Sequence, residues 1–476
     1  MDGGFPLETR IHSQGTLWGN AQLQFAALRS STRARASLRN SLYGAGEYIA
    51  LPLTMLLAAP FLLRRLGLEQ YGLWMLATAA VSSTNLISTG FGDAALKYAS
   101  MYRGKNDRKR MEDTLRVNLA INLVLGGALA LVMWYGSSLA ARSLFKIEQS
   151  LQGAAVTAFR IGSLILLVRC VESVLVAALR AHERYGPSVV INVISRATIV
   201  ITACVLVSQG YGIVGIMLGT LCVVIGSTTA QLTAARAVMG PISLIPSINN
   251  AAFSEVFGFG FFSWLQAVAG CVFNQADRLL IGVLLGTSAV AYYSVCVQAA
   301  QPIHGLIAAG LHFLFPHLSA RLSRAPASEL RATVLSIFRI NAAGAVILCL
   351  PLALFSRLIL RLWMGSAFAQ QAWTLLSIIA VGFGFLALNV TAHYALLALG
   401  QVKLVAMLNL AGGAAMLVAM ILLAPRFGLA GAAVGRMLYG PVTLLMYWRL
   451  HSMLLPRNRS PVEVCPPFAI LGQERP

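Results

Sequence analysis

The sequence predicts an all-α polytopic membrane protein, with about twelve transmembrane helices in two six-helix, pseudo-symmetric lobes. Three observations carry that expectation. Of 476 residues, 58% are hydrophobic and 11% are charged, where an ordinary globular chain has about 25% charged. Apolar runs of about 20 residues, the length that spans a bilayer core as a helix, recur along the chain. The second half repeats the first at a near-constant offset. A soluble protein of this size would need far more polar surface than this chain supplies.

The elements follow in order. Residues 1–39 form a basic tail ending in Arg29, Arg33, Arg35 and Arg39. It has neither an early apolar core nor a small-residue cleavage site, so it reads as a cytoplasmic tail rather than a secretory signal. Apolar spans then fall near 41–63, 71–95, 117–139, 154–179, 187–208, 212–235, 253–276, 279–316, 334–359, 371–399, 402–424 and 428–450. The stretch 253–316 must hold two helices, with the break near Gly286-Thr-Ser and Asp277-Arg278 near the outer end of the seventh. The lobes are then 40–240 and 241–450, followed by a cytoplasmic tail at 451–476.

Charge orients this array. The net charge is +20. The amino tail, the loops after even spans and the carboxyl tail hold 24 Lys and Arg, whereas the loops after odd spans hold eight. Cytoplasmic loops collect positive charge, so both termini are predicted to be cytoplasmic. Nucleic-acid binding would require a basic face on a polar fold, which is missing. Six of the seven cysteines (Cys170, Cys204, Cys222, Cys271, Cys296 and Cys349) lie in apolar runs, where they act as small hydrophobes; neither a disulfide framework nor metal spacing is implied.

The repeat is explicit. Ala178-Leu-Arg-Ala-His-Glu-Arg184, Asn192 and Tyr211-Gly-Ile-Val-Gly-Ile-Met-Leu-Gly219 match Ala395-Leu-Leu-Ala-Leu-Gly-Gln401, Asn409 and Phe427-Gly-Leu-Ala-Gly-Ala-Ala-Val-Gly435, at offsets of 216 to 217. Gly67…Tyr71-Gly72 and Gly286…Tyr292 recur at a similar offset. A six-helix unit used twice keeps its orientation, so its symmetry axis runs along the membrane normal. A cavity between such lobes is the usual place for a transport site. The glycine patterns lack the Gly-Lys-Ser/Thr of a phosphate loop and suit close helix packing.

Charges and amides within the spans need a partner or water, since burying a charge in hydrocarbon costs about 2.5–3.5 kcal/mol even on insertion scales. Helix one carries Asn40, Glu47 and Thr54; helix two Ser82, Asn85, Thr89 and Asp93; helix four Arg169 and Glu172; helix five Ser188, Asn192, Arg196 and Thr202. In the second half, helix seven reads Ser263, Gln266, Gly270, Asn274 and Asp277, and helix eight Ser294, Gln298, Gln301, Gly305 and His312. Helix ten has Asn389 and His393, and helix twelve Arg436, Tyr439, Thr443 and Tyr447. Polar faces on most helices of both halves point to a hydrated central cavity. Arg169 and Glu172, one turn apart, suit a self-neutralising pair. Asp93 and Lys97 suit a cap or surface pair near a helix end. Arg196 and Arg436 have no acid nearby in sequence, which leaves two roles open. Each can grip an anion through its planar fork, or pair across the bundle with Glu47 or Asp277. There is no Gly-x-Ser-x-Gly, His-Glu-x-x-His or Asp-x-Asp motif, and no cofactor or metal site is expected.

Several segments resemble the polysaccharide-transport branch of the multidrug/oligosaccharidyl-lipid/polysaccharide exporter superfamily, which includes the O-antigen and exopolysaccharide repeat-unit flippases. They are Leu66-Gly-Leu-Glu-Gln-Tyr-Gly-Leu-Trp74, Phe91-Gly-Asp-Ala-Ala…Tyr98…Gly104-Lys-Asn-Asp107, Asp277-Arg-Leu-Leu-Ile-Gly-Val-Leu-Leu-Gly286…Ala291-Tyr-Tyr293 and the paired glycine repeats, within about 38–450. The resemblance implies alternating access by two lobes in a bacterial inner membrane, with a polyprenyl-diphosphate-linked oligosaccharide as cargo. It places the protein among membrane lipids as a monomer, beside a polysaccharide polymerase or export machinery. On this reading Arg196, Arg436 and Arg169 meet diphosphate, and Gln266, Asn274, Gln298 and Gln301 meet sugar hydroxyls. Glu47, Glu172 and Asp277 are coupling candidates. A drug/cation antiporter of the same superfamily would want an acidic cavity, and a glycosyltransferase or O-antigen polymerase a large outer loop; the arginine surplus and the short loops disfavour both.

Overall fold

The computed structural model describes residues 54–454 except 83, 241–244, 248, 272–274, 312–313, 315–317 and 319–326; for 84–89, 251, 259, 262–263, 265–271, 327 and 454 it describes the backbone alone. Most of the predicted first span, the predicted amino tail and residues 455–476 of the predicted carboxyl tail lie outside the described residues. Among those described, no strand occurs. The helices are α1 (54–82), α2 (Thr84–Gly104), α3 (Arg108–Leu139), α4 (Gln152–Ala181), α5 (Tyr185–Ser208), α6 (Ile213–Met239), α7 (Asn250–Cys271), α8 (Asp277–Leu285), α9 (Thr287–Leu311), α10 (Ala327–Leu354), α11 (Ser356–Trp363), α12 (Ser366–Ala398), α13 (Val402–Met437) and α14 (Tyr439–Leu454). Among the described residues, seven helical segments are long and apolar enough to cross a bilayer. The last of these, Val402–Met453, runs through a kink at Gly428 and holds two of the predicted spans.

Local chemistry sets the boundaries. The Asp107 side chain caps α3 by accepting from the Arg110 N–H at 3.0 Å. The two repeats end equivalent helices in the same way. After α4, Glu183 is left-handed (φ 59°), and its N–H and that of Arg184 reach back to the carbonyls of Arg180 and Leu179. After α12, Gly400 (φ 74°) and Gln401 do the same to Leu397 and Leu396. Both are the glycine-type stop that satisfies the last carbonyls of a helix, and they sit 217 residues apart.

The break at Gly286 is where the sequence placed it. Asp277 is not at the helix end, however. It is fully buried, with α8 continuing to Leu285, more than two turns further at 3.6 residues per turn.

In the first half α4 packs on α3 and α6; in the second, α12 packs on α9, α10, α13 and α14. Among the described residues the halves meet at two main seams, and Trp363 also donates to the Leu56 carbonyl at 3.2 Å. One is α2 against α7, where Gly90 lets the backbone of Trp264 approach and Phe91 stacks on Phe257. The other is the α1 corner against α8 and α9. A side chain at Gly72 would overlap the Thr287 carbonyl, and Gly282 seats Leu76 and Phe145. Glu69 there accepts hydrogen bonds from the hydroxyls of Thr287 and Ser288.

Outside, the surface is greasy. Tyr135, Ile347 and Trp448 are 77%, 68% and 78% exposed. In water such surface would cost about 25 cal/mol per Å²; facing lipid it costs nothing.

Candidate transport cavity

Two chambers, of about 530 and 590 Å³, share Met55, Thr78 and Ser82 of α1 in their walls. The first chamber lies within the first half, and the second lies between α1 and the second half. Helices α2, α4, α5 and α6 line the first, and α8, α9, α12, α13 and α14 line the second.

Charge dominates the first chamber. Arg169 pairs with Glu172 at 2.5 Å, as the one-turn spacing predicts, and Glu172 also accepts from Ser227 Oγ at 2.6 Å. The carboxylate is buried and held from two helices, while the guanidinium is 29% exposed. The pair is therefore neutral overall, with its guanidinium the more exposed partner. Arg196 and Arg180 stand in the same wall, with Asp93. Asp93 was expected to serve as a cap or surface partner of Lys97. It faces the chamber instead, and the Lys97 ammonium lies 5.1 Å from the Tyr98 ring centroid.

Amides and imidazoles dominate the second chamber, whose wall includes Gln275, Gln298, Gln301, His304, Asn389 and His393. Its arginine on α13, Arg436, is 7% exposed and donates to Asp277 and, at 3.1 Å, to the Tyr293 hydroxyl. Tyr293 in turn donates to Asp277 at 2.7 Å. The guanidinium also lies 5.1 Å from the Phe383 ring centroid, a favourable cation–π contact. Of the two roles open to Arg436, pairing with Asp277 is the one the structure forms. Removing one partner of such a buried pair strands the other charge. Among the described residues, Gln275 Oε1, Gln298 Oε1 and Asn389 Oδ1 are buried and meet no donor.

The chambers are related by the repeat. At an offset of 217, Glu172 corresponds to Asn389, Val176 to His393, Ala177 to Tyr394 and Asn192 to Asn409. Each of these residues lines its chamber. The wall positions are kept and the chemistry differs. Arg169 becomes Leu386 in the second chamber's wall, and Thr220 becomes Arg436 at an offset of 216.

The structure thus gathers Arg169, Glu172 and Arg196 in the first chamber, and Gln298, Gln301 and Arg436 in the second, with Asp277 held by Arg436. Glu47 and Asn274 lie outside the described residues, as does the side chain of Gln266. Two cavity cations were missed in the sequence. Arg180 and Arg278 fall near the ends of apolar runs and were counted with the loops, yet both line chambers. Arg278 directly follows Asp277, which was the available signal for it, whereas Arg180 lies eight residues beyond Glu172. Among the described residues, no group of three or more His, Cys, Asp or Glu could hold a metal.

A polar chamber at repeat-matched positions in each of two apolar helical halves suits an all-α polytopic membrane transporter. A model of the family described as "Polysaccharide biosynthesis protein" matches residues 61–372, and the chain belongs to that family. It is 22% identical over 406 residues, 83% of this chain, to a Shigella flexneri protein named "Putative O-antigen transporter", covering 93% of that protein. Two solved structures share the fold. An inward-facing multidrug resistance MATE family transporter superposes with a TM-score of 0.71 at 15% identity, covering 86% of this chain and 98% of that one. The lipid II flippase MurJ, in an inward closed conformation, gives a TM-score of 0.70 at 14% identity, covering 87% of each chain. These relatives are transporters and flippases, not enzymes.

Proposed function

We propose that this protein flips a polyprenyl-diphosphate-linked oligosaccharide repeat unit across the bacterial inner membrane, by alternating access of lobes 40–240 and 241–450. The observation that carries the reading is five arginines in the walls of two neighbouring chambers between apolar helices, Arg169, Arg180 and Arg196 in the first and Arg278 and Arg436 in the second. A sugar–diphosphate head group cannot cross hydrocarbon, because each unpartnered hydroxyl costs about 1–3 kcal/mol and charge far more. Arginine forks replace phosphate hydration bidentately. A drug/cation carrier would be served by the opposite sign. The names of the O-antigen transporter and lipid II flippase relatives support the same class of cargo.

With both termini in the cytoplasm, the corner closed by Glu69, Gly72 and Thr287 faces outward. In this scheme Asp277 is the coupling acid, and its neutralisation releases Arg436 to the chamber. Deleting the gene tests the proposal. Lipid-linked repeat units should accumulate on the cytoplasmic face, and surface polysaccharide should fall. Normal surface polysaccharide with no accumulation would refute it.

A further inference from the structure

We infer that α11 is an interfacial helix whose Arg357 and Arg361 bind the phosphates of anionic phospholipids, on the membrane face that the charge pattern assigns to the outside. The inference rests on membrane embedding alone and is independent of the cargo.

The side chains of α11 sort into three stripes. Ser356 and Leu360, one turn apart, are buried, and the helix packs on α10 and α12. Arg357 and Arg361 form the next stripe and are exposed. Leu358 and Leu362 form the third and are 53% and 78% exposed. At 3.6 residues per turn, each stripe is rotated about 100° from the one before. The indole N–H of Trp363 pins the end of the helix to the Leu56 carbonyl. Among the described residues, no acid pairs with Arg357 or Arg361. One stripe on the protein, one of cations and one of leucines fit the boundary between headgroups and acyl chains.

The first half repeats the pattern. At an offset of 215, Ala141, Arg142, Phe145 and Lys146 correspond to Ser356, Arg357, Leu360 and Arg361. Ala141 and Phe145 are buried, and Arg142 and Lys146 are exposed, as at the matched positions. Lys146 also donates to the Leu284 carbonyl at 2.8 Å, which directs it to the corner, so the full pair is the one on α11. These four cations are half of the eight in the loops after odd spans. Outward loops are ordinarily poor in Lys and Arg, so a spacing of four kept in both halves calls for an anion at that face. Arginine forks suit phosphate. The flanking leucines favour a phosphate that carries acyl chains over a soluble anion or a sugar.

The test uses the full chain in nanodiscs with a trace of photoactivatable phosphatidylglycerol or phosphatidylcholine, the crosslinked peptides being identified by mass spectrometry. In wild type, phosphatidylglycerol should label residues 354–365 about tenfold more than phosphatidylcholine. Arg357→Gln/Arg361→Gln should bring the two lipids within twofold, with phosphatidylcholine labelling unchanged as the sign that the helix is still in place. Arg64→Gln/Arg65→Gln, which removes the same charge from exposed positions near the corner, should keep the tenfold preference. No preference in wild type, a preference that survives in the α11 variant, or an equal loss in the Arg64/Arg65 control would overturn the inference. So would displacement of the label by equimolar undecaprenyl diphosphate, which would make the occupant the cargo rather than a bilayer lipid.

Discussion

The α1 corner and the chambers lie along the same helices yet have opposite characters. At the corner, Gly72 and Gly282 bring backbone and side chains of the two halves into direct contact, with Tyr71, Leu76, Ile281 and Tyr293 fully buried around them. From Thr78 onward the wall turns polar and α1 borders both chambers. The difference teaches that glycine placement, rather than hydrophobicity alone, decides where two membrane lobes close. Small residues permit close approach where van der Waals contact is the main attraction, while charged residues that cannot be desolvated hold the lobes apart.

The comparison can be broken or sharpened by substitution. The largest effect is expected where the regions join, at the Arg436–Asp277 pair. Asp277→Asn should destabilise the protein by about 3–5 kcal/mol by stranding a buried guanidinium. The double variant Asp277→Asn/Arg436→Gln should recover most of that loss in a thermal-unfolding assay. No recovery would mean the two groups act independently.

Next comes the corner itself. Gly72→Leu should cost about 3 kcal/mol through overlap with the Thr287 backbone, seen as a lower melting temperature and yield. The same change at Gly92, whose added Cβ would meet no neighbour, should cost much less.

In the first chamber, Arg196→Gln should cut export of surface polysaccharide about tenfold, equivalent to about 1.4 kcal/mol, with membrane insertion unchanged. Wild-type export would remove Arg196 from the site.

The smallest effect is expected from Glu69→Gln. It weakens the link to Thr287 and Ser288 by about 1 kcal/mol and should raise the labelling of a Leu68→Cys reporter placed at the corner. Unchanged labelling would show that glycine packing alone keeps it shut.

Much of this was legible in the sequence, for identifiable reasons. Membrane helices advertise their length in apolar runs, so most spans and the Gly286 break could be read directly. The Arg169–Glu172 pair was legible because its partners are one turn apart. The Arg436–Asp277 pair was visible only as one of several options. Its members are 159 residues apart, and which acid faces which arginine depends on how helices of different halves pack. Arg180 and Arg278 were misplaced because hydropathy marks where an apolar run thins out, whereas a helix lining wet space continues past that point. The segment around Glu69 stood out as a resemblance motif and as part of the repeat, but its role as a seam was not legible, because Thr287 and Ser288 lie 218 and 219 residues away.

The most direct test is translocation in proteoliposomes of undecaprenyl diphosphate carrying a short oligosaccharide, comparing wild type with the Arg180→Gln/Arg196→Gln double variant. The arginine-lined cavity predicts rapid head-group translocation by wild type and protein-free rates for the correctly inserted variant. Equal rates in the two proteins would contradict it.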